Sequence, residues 1–426
     1  MGCGSGQQAI QEDIQKQEQI YPIKLHQETI AIIGCTHAGT TAAISLRNLN
    51  KNVRIIVFEK NPAVAFLNCG IHLVINKTCD DLNKLFYNSP NKMKSLGIDI
   101  HECTSIEGVD FKAKQLNAVN LLNQEKSSYQ YDKLIISTGS NPVIPPIIQG
   151  LDYKNDPVRQ LRADYKRILL CKTYQDAQRL IKLSAEKVCI IGSGHIGMEL
   201  VWSFNSIGSK VTVVDHGHHI LAKYFDIEYV NILEQECRKL GIEISSNSKV
   251  IKLSENEHKA SVLIQRTVEG VVKTLNAEFD YVIICAGFIP NTENIIQWSE
   301  NTLVNMNKII VVDKQQRTSI ENVYAIGDCA TCLIKYCKSK RTSHSRHRPC
   351  AKASQPHTKP LIRIYRQWAR IKHMASNSLI IHLLQPAQLT QMRRKLYNMW
   401  AESSSPTTSG ADTARRKWTR LFKSKN

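Results

Sequence analysis

Apolar residues along the chain fall into short β-branched runs that stop at glycine, each followed by a stretch with helical spacing. Thr29–Ile33 is such a run and ends at Gly34. Ala38–Leu49 then places its apolar residues at helical intervals, and Val53–Phe58 is a second run closed by Glu59. This order predicts a β-α-β unit. It recurs at Lys187–Ile191, His195–Ile207 and Lys210–Val214, closed by Asp215, so the architecture is duplicated without close sequence repetition. Between the two units, Asp80–Leu96 is predicted as one helix with Leu82, Leu85, Phe86 and Met93 inward, followed by strand-like Ile98–His101 and an alternating polar stretch to Tyr131. Three further apolar runs end at glycine turns: Leu134–Ser137 at Thr138-Gly139, Val282–Ala286 at Gly287, and Val323–Ile326 at Gly327-Asp328. Each is predicted to be a buried strand stopping where ligands sit in a parallel sheet.

Charge changes this picture in one region only. The chain of 426 residues carries a formal charge of +19, which taken alone points to nucleic acid or an anionic surface. Residues 1–330, however, hold 35 Lys+Arg and 35 Asp+Glu, while residues 331–426 hold 21 and 2. The first stretch is neutral, and the excess is confined to the second. Glycine divides the same way, because Gly410 is the single glycine after Thr331. No apolar run reaches the 18 or more residues of a membrane helix and no secretion signal opens the chain, so no membrane partner is expected. Thirteen cysteines without regular spacing fit a reducing cytoplasm. Met1-Gly2-Cys3 is not read as an acylation signal, since Gly6 stands where Ser or Thr is required.

Two motifs carry chemistry. Gly34-Cys35-Thr36-His37-Ala38-Gly39 follows a strand and opens a helix, so that backbone N–H groups and the helix dipole are available to a pyrophosphate. Thr36 replaces the usual second glycine, and Glu59 at the end of the next strand supplies a carboxylate for a ribose hydroxyl. Gly192-Ser193-Gly194-His195-Ile196-Gly197 is a complete fingerprint in the same context, and Asp215 is its strand-end acid. An acid there accepts from a free ribose 2′-OH and repels a 2′-phosphate, so NADH is expected over NADPH. His216, His218 and His219 beside it would temper that preference if charged. Cys69 has no second thiol at C-x-x-C or slightly wider spacing. A lone thiolate can become a sulfenic acid and be reduced back; a buried inert cysteine is the alternative reading. His37 opens the first fingerprint helix, where the dipole disfavours its charged form.

Taken together, the two fingerprints and the returning strands ending at Thr138-Gly139 and Gly327-Asp328 resemble the FAD- and NAD-dependent pyridine nucleotide–disulfide oxidoreductases over most of residues 29–330. Gly34–Thr40 (GCTHAGT) and Ala65-Phe66-Leu67-Asn68-Cys69-Gly70-Ile71, beside the usual SFLSCGI, are most similar to the single-cysteine branch, which holds water-forming NADH oxidase, NADH peroxidase and coenzyme A-disulfide reductase. The resemblance implies an α/β fold of two Rossmann-like dinucleotide-binding domains, an FAD domain with an inserted NAD domain. The expected boundaries are 1–27 for a mobile extension, 28–150 and 285–330 for the FAD domain, 151–284 for the NAD domain, and 331–426 for a basic tail. It also implies FAD and NADH as cofactors, with Asp328 on the FAD ribityl chain and Gly287 in the turn that ends the NAD insertion. By the same resemblance Glu199 lies near flavin and nicotinamide, and Cys69 is the redox residue with His37 near it. The expected activity is NADH oxidation with O₂ reduced to water, with peroxide or coenzyme A disulfide as alternative acceptors and no metal. His195 departs from the tyrosine often found at its position.

The resemblance stops after Ala330. The family continues into a helix that reaches the flavin and a domain that makes the dimer, whereas Cys332–Asn426 has basic runs such as Arg415-Arg416-Lys417 and no sustained period. A reading-frame change after Ala330, a basic arm for nucleic-acid phosphates and a diverged interface domain are the open readings. The frame change is the preferred one. On it the dimerisation domain is missing or replaced, the family homodimer is not expected, nucleic acid is not the expected partner, and activity is crippled. Cys329-x-x-Cys332 with Cys337 and Cys350 is read as an accident of spacing rather than a zinc site.

Overall fold

A computed structural model describes residues 27–151, 165–268, 271–300, 303–305 and 308–331. The expected mobile extension, apart from Gln27, and the basic tail beyond Thr331 lie outside the described residues. The described residues divide into two units, one of 27–66, 86–140 and 290–331, the other of 67–85, 141–151 and 165–289.

The first unit is built on a five-stranded parallel sheet. It contains β1 (Thr29–Ile33), α1 (His37–Leu49), β2 (Arg54–Phe58), β3 (Ile98–His101), the antiparallel strands β4 (Thr104–Asp110), β5 (Gln115–Asn120) and β6 (Lys126–Gln130), then β7 (Lys133–Ile136). A short strand, β8 (Ser140–Pro142), follows where the chain leaves this unit. With the later β18 (Val323–Ala325) the sheet order is β18-β7-β1-β2-β3, so the chain crosses over on both sides of β1. Period-2 alternation sorts its residues to two faces. Ala31, Ile33, Ile56, Phe58, Leu134 and Ile136 pack on one face, and Ile30, Ile32, Ile55, Val57 and Ile135 on the other. A parallel sheet covered on both faces explains why these strands read as continuous apolar runs.

The second unit repeats the plan. Its strands are β9 (Ile168–Leu170), β10 (Lys187–Ile191), β11 (Lys210–Val214), β12 (Glu243–Ser245) and β16 (Tyr281–Ile284), in the parallel order β12-β11-β10-β16-β9. A β-α-β crossover through α5 (His195–Ser206) joins β10 to β11, and α4 (Tyr174–Leu180) and α6 (Ile227–Lys239) complete its helices. An antiparallel sheet of β13 (Ser248–Glu255), β14 (Ala260–Val268) and β15 (Val271–Phe279) contributes Val250, Leu253, Val262 and Phe279 to the core shared with Ile191 and Ile284. The short helix α2 (Ile71–Ile75), preceded by a 3₁₀ turn at Asn68–Gly70, also belongs to this unit. β17 (Phe288–Pro290) leads back to α7 (Glu293–Trp298) of the first.

One expected element is corrected. Asp80–Leu96 is not a single helix but a 3₁₀ turn, Leu82–Leu85, and a separate helix α3, Pro90–Ser95. Pro90 lacks the N–H that would continue a helix and sits at its first turn, where Ser89 accepts from the Lys92 N–H as cap. Leu82, Leu85 and Met93 are buried all the same, because two short turns in sequence satisfy the apolar spacing.

Candidate functional site

Each fingerprint is held shut from below by the neighbouring strand. Gly34 has φ +97° and Gly192 φ +103°, left-handed values that favour glycine. A Cβ on Gly34 would run into the Ser137 carbonyl oxygen, and one on Gly192 into that of Cys285. Gly39 and Gly197 are required for the same reason within the first turns of their helices, where a Cβ would collide with the carbonyl oxygens of Gly34 and Gly192. Thr36 and Gly194 are the N-cap residues of α1 and α5, and neither helix start carries a side-chain cap bond. Elsewhere Thr173 and Ser89 cap α4 and α3 with their own side chains. The fingerprint helices thus leave first-turn N–H groups for an anion.

The strand-end acids bind the same backbone group in both units. Glu59 Oε2 accepts from the Cys35 N–H at 2.7 Å, and Asp215 Oδ2 from the Ser193 N–H at 2.6 Å. Beyond that they diverge. Glu59 is 4 % exposed, and its Oε1 accepts from the backbone and side-chain nitrogens of Asn61 at 3.0 and 2.7 Å. Asp215 is half-buried; Ser193 Oγ also donates to its Oδ2, the Gly217 N–H to its Oδ1 at 2.7 Å, and His216 Nδ1 stands 3.5 Å from Oδ1.

The returning turns of the first unit are cross-braced. Thr138 Oγ1 donates to the Asn291 carbonyl at 2.7 Å, the Asn291 N–H to the Gly139 carbonyl at 2.9 Å, and Ser140 Oγ to Asp328 Oδ2 at 2.8 Å. Gly327 lies against Ala38 of α1, where a Cβ would meet the alanine methyl at 2.9 Å. Among the described residues, chain neighbours aside, no atom stands within 4 Å of where a Cβ would sit on Gly139, nor on Gly287 in the second unit. These turns leave open space at a strand end, which suits a cofactor. His37 Nδ1 is 3.0 Å from Tyr87 Oη, with ring centroids 5.4 Å apart.

Cys69 belongs to the second unit, whereas His37 belongs to the first. It is a half-buried free thiol in the 3₁₀ turn before α2. Burial pushes its pKa up, the Glu199 charge adds to that, and a backbone hydrogen bond and Lys172 act in the other direction. Glu199, on α5, is buried, which raises its carboxyl to about 8. His72 Nδ1 stands 3.4 Å from Glu199 Oε2. Sequence reasoning missed His72, Tyr87, Ser137 and Ser193. For His72 a signal existed, since position 72 lies one helical turn after Cys69. Among the described residues no group of three or more His, Cys, Asp or Glu could hold a metal, and no helix is long and apolar enough to cross a membrane.

A model of the family described as pyridine nucleotide-disulphide oxidoreductase matches residues 28–354, running past the compositional break at Thr331. The chain belongs to this family. Its members bind FAD and a nicotinamide dinucleotide, and the two parallel five-stranded sheets are the dinucleotide-binding folds expected of it. The chain is 33 % identical over 303 residues to an NADH oxidase of Enterococcus faecalis, covering 71 % of this chain and 63 % of the relative. A solved water-forming NADH oxidase of Lactobacillus brevis, bound to NADH, is 28 % identical with a TM-score of 0.63, over 71 % of this chain and 63 % of that one. An engineered mutant of that oxidase, a water-forming NADPH oxidase bound to NADPH, scores 0.62 at 28 % identity over 71 % and 62 %; an aspartate changed to alanine is among its substitutions. The chain spans less than two thirds of the length of these relatives.

Proposed function

We propose that this family member is an FAD-dependent NADH oxidase that reduces O₂ to water, with Cys69 as its redox thiol. A free, half-buried cysteine in a chain with two glycine-bounded dinucleotide cradles carries the reading, and the similarity to NADH oxidases supports it. The residues fit the cofactors: α1 starts uncapped beside buried Glu59, and Gly139 and Gly287 border open space. In this reading Gly34, Thr36, Gly39, Glu59, Thr138, Gly139, Gly327 and Asp328 hold FAD. Gly192, Gly194, Gly197, Asp215 and Gly287 hold NADH, and Glu199 lies near its nicotinamide. Bound FAD supplies the two-electron carrier between NADH and oxygen.

Cys69 then acts on peroxide. Its thiolate attacks one peroxide oxygen, an S–O bond forms, the O–O bond breaks and hydroxide leaves, so that R–S⁻ + H₂O₂ gives R–SOH + OH⁻. Two electrons drawn from NADH and one proton return the thiolate and release water. In this reading His37, at the start of α1 with its Nδ1 3.0 Å from Tyr87 Oη, is the second catalytic residue, as the family resemblance implies. The Cys69→Ser variant should consume NADH and release H₂O₂ in place of water, with peroxide rising from near zero toward one per NADH. An unchanged product ratio in a peroxide assay would remove Cys69 from the reaction. Anaerobic competition between peroxide and coenzyme A disulfide tests the alternative acceptors.

A further inference from the structure

His72 is the one titratable side chain of α2, and the site described above gives it no task. It follows Cys69 by three residues, so the helical turn carries both on one side of the segment. Across from it, α5 presents Glu199, with His72 Nδ1 3.4 Å from Glu199 Oε2. The two helices are pinned together at this point. Ser203 Oγ lies 3.1 Å from the His72 carbonyl and 2.7 Å from the Glu199 carbonyl, joining both backbones. The imidazole is therefore held against the carboxyl by packing, with side-chain exposures of only 13 % and 8 %.

We propose that His72 is a positioning residue for the redox thiol: with Glu199 it forms a buried acid–imidazole pair that stores one proton beside Cys69. The idea rests on Cys69 being the working thiol of the proposed oxidase. While the pair holds one proton it has no net charge, whether the proton sits on oxygen or nitrogen. When that proton leaves, a net negative charge remains next to Cys69 and opposes thiolate formation. Two proton sites in contact release their last proton at a higher pH than the carboxyl alone, so His72 widens the range in which Cys69 can ionise. Among the described residues the Glu199 charge also acts on two thiols that burial raises, Cys171 after β9 and Cys285 after β16. Lys172 is the cation that acts on Cys69. None of these replaces a second proton site on the carboxyl, and the rise of Glu199 to about 8 puts the proton's release within reach of experiment.

The test is the rate of Cys69 alkylation by iodoacetamide, followed by mass spectrometry of the Cys69 peptide from pH 6 to 9.5 in the full chain. In the wild type the rise of rate with pH should be interrupted by a shoulder where the pair loses its proton. His72→Gln should move that shoulder to lower pH, lowering the rate at pH 8 roughly three- to ten-fold. Glu199→Gln should remove the shoulder, and His72→Gln/Glu199→Gln should recover the rate lost in the single histidine variant. A shoulder left in place by His72→Gln, or a loss that persists in the double variant, overturns the proposal. Glu199→Gln alone gives a reading independent of the histidine variant's folding, since a surviving shoulder also overturns it. The readout is thiol reactivity, so a failure here is distinct from an unchanged peroxide ratio in Cys69→Ser.

Discussion

The two dinucleotide cradles are copies in backbone and differ in how their acids are held. In the first, Glu59 is enclosed and both its oxygens already accept from Cys35 and Asn61. In the second, Asp215 is half-buried beside the exposed His216. A buried acid whose partners are fixed suits a dinucleotide that stays through many turnovers. An open acid with an exposed neighbour suits one that must leave after each hydride transfer. The same local motif thus holds its acid in two ways, enclosed in the first unit and half-open in the second.

The comparison can be broken most severely at the glycines. Gly34→Ala would force a Cβ into the Ser137 carbonyl at a left-handed φ, and Gly192→Ala would do the same at Cys285. Each should cost about 3 kcal/mol or more. If the cradles are separate, Gly34→Ala should yield protein without bound flavin, while Gly192→Ala should keep flavin and lose NADH affinity. Flavin absorbance after gel filtration and NADH titration check both.

A smaller effect is expected at Glu199. Its folded-state pKa of about 8 lies above the ordinary carboxyl value of 4.5, so folding takes up a proton between these values and stability falls as pH rises through that window. Glu199→Gln should abolish that fall and gain roughly 2–4 kcal/mol over the wild type between pH 5 and pH 8.5. Urea unfolding at the two pH values measures it, and parallel curves for the two proteins would show that the carboxyl does not carry its proton into the folded state.

The finest test sharpens the reading of the open acid. With Asp215 contacting the ribose, the wild type should prefer NADH over NADPH by one to three orders of magnitude, on the order of 1.4–4 kcal/mol, and Asp215→Ala should relax that preference. Equal kcat/KM for both nucleotides in the wild type would refute the assignment.

Much of this was legible because the cradles are local. A strand, a glycine turn and a helix start are consecutive residues, and the acid that closes each unit lies only one strand further, so Gly34 with Glu59 and Gly192 with Asp215 could be read directly. The helix expected over Asp80–Leu96 failed for a local reason too. Pro90 and the Ser89 cap outweighed an apolar spacing that two short turns meet equally well.

The amino-acid sequence by itself determined the α/β class, the duplicated β-α-β plan, the glycines and the strand-end acids, since each is set by backbone sterics or by neighbours within one β-α-β unit, while Cys69 was singled out by the family resemblance. Tertiary structure alone decided what lies beneath and beside them. Ser137 closes off Gly34 from 103 residues away, and Ser203 ties its α5 backbone to His72 across 131. Tyr87 meets His37 across 50. Such pairings depend on which strands become neighbours in the sheet and which helix packs on which, and the burial they create lifts Glu199 toward neutral pH. Desolvation is a property of the packed chain, and no spacing of residues announces it.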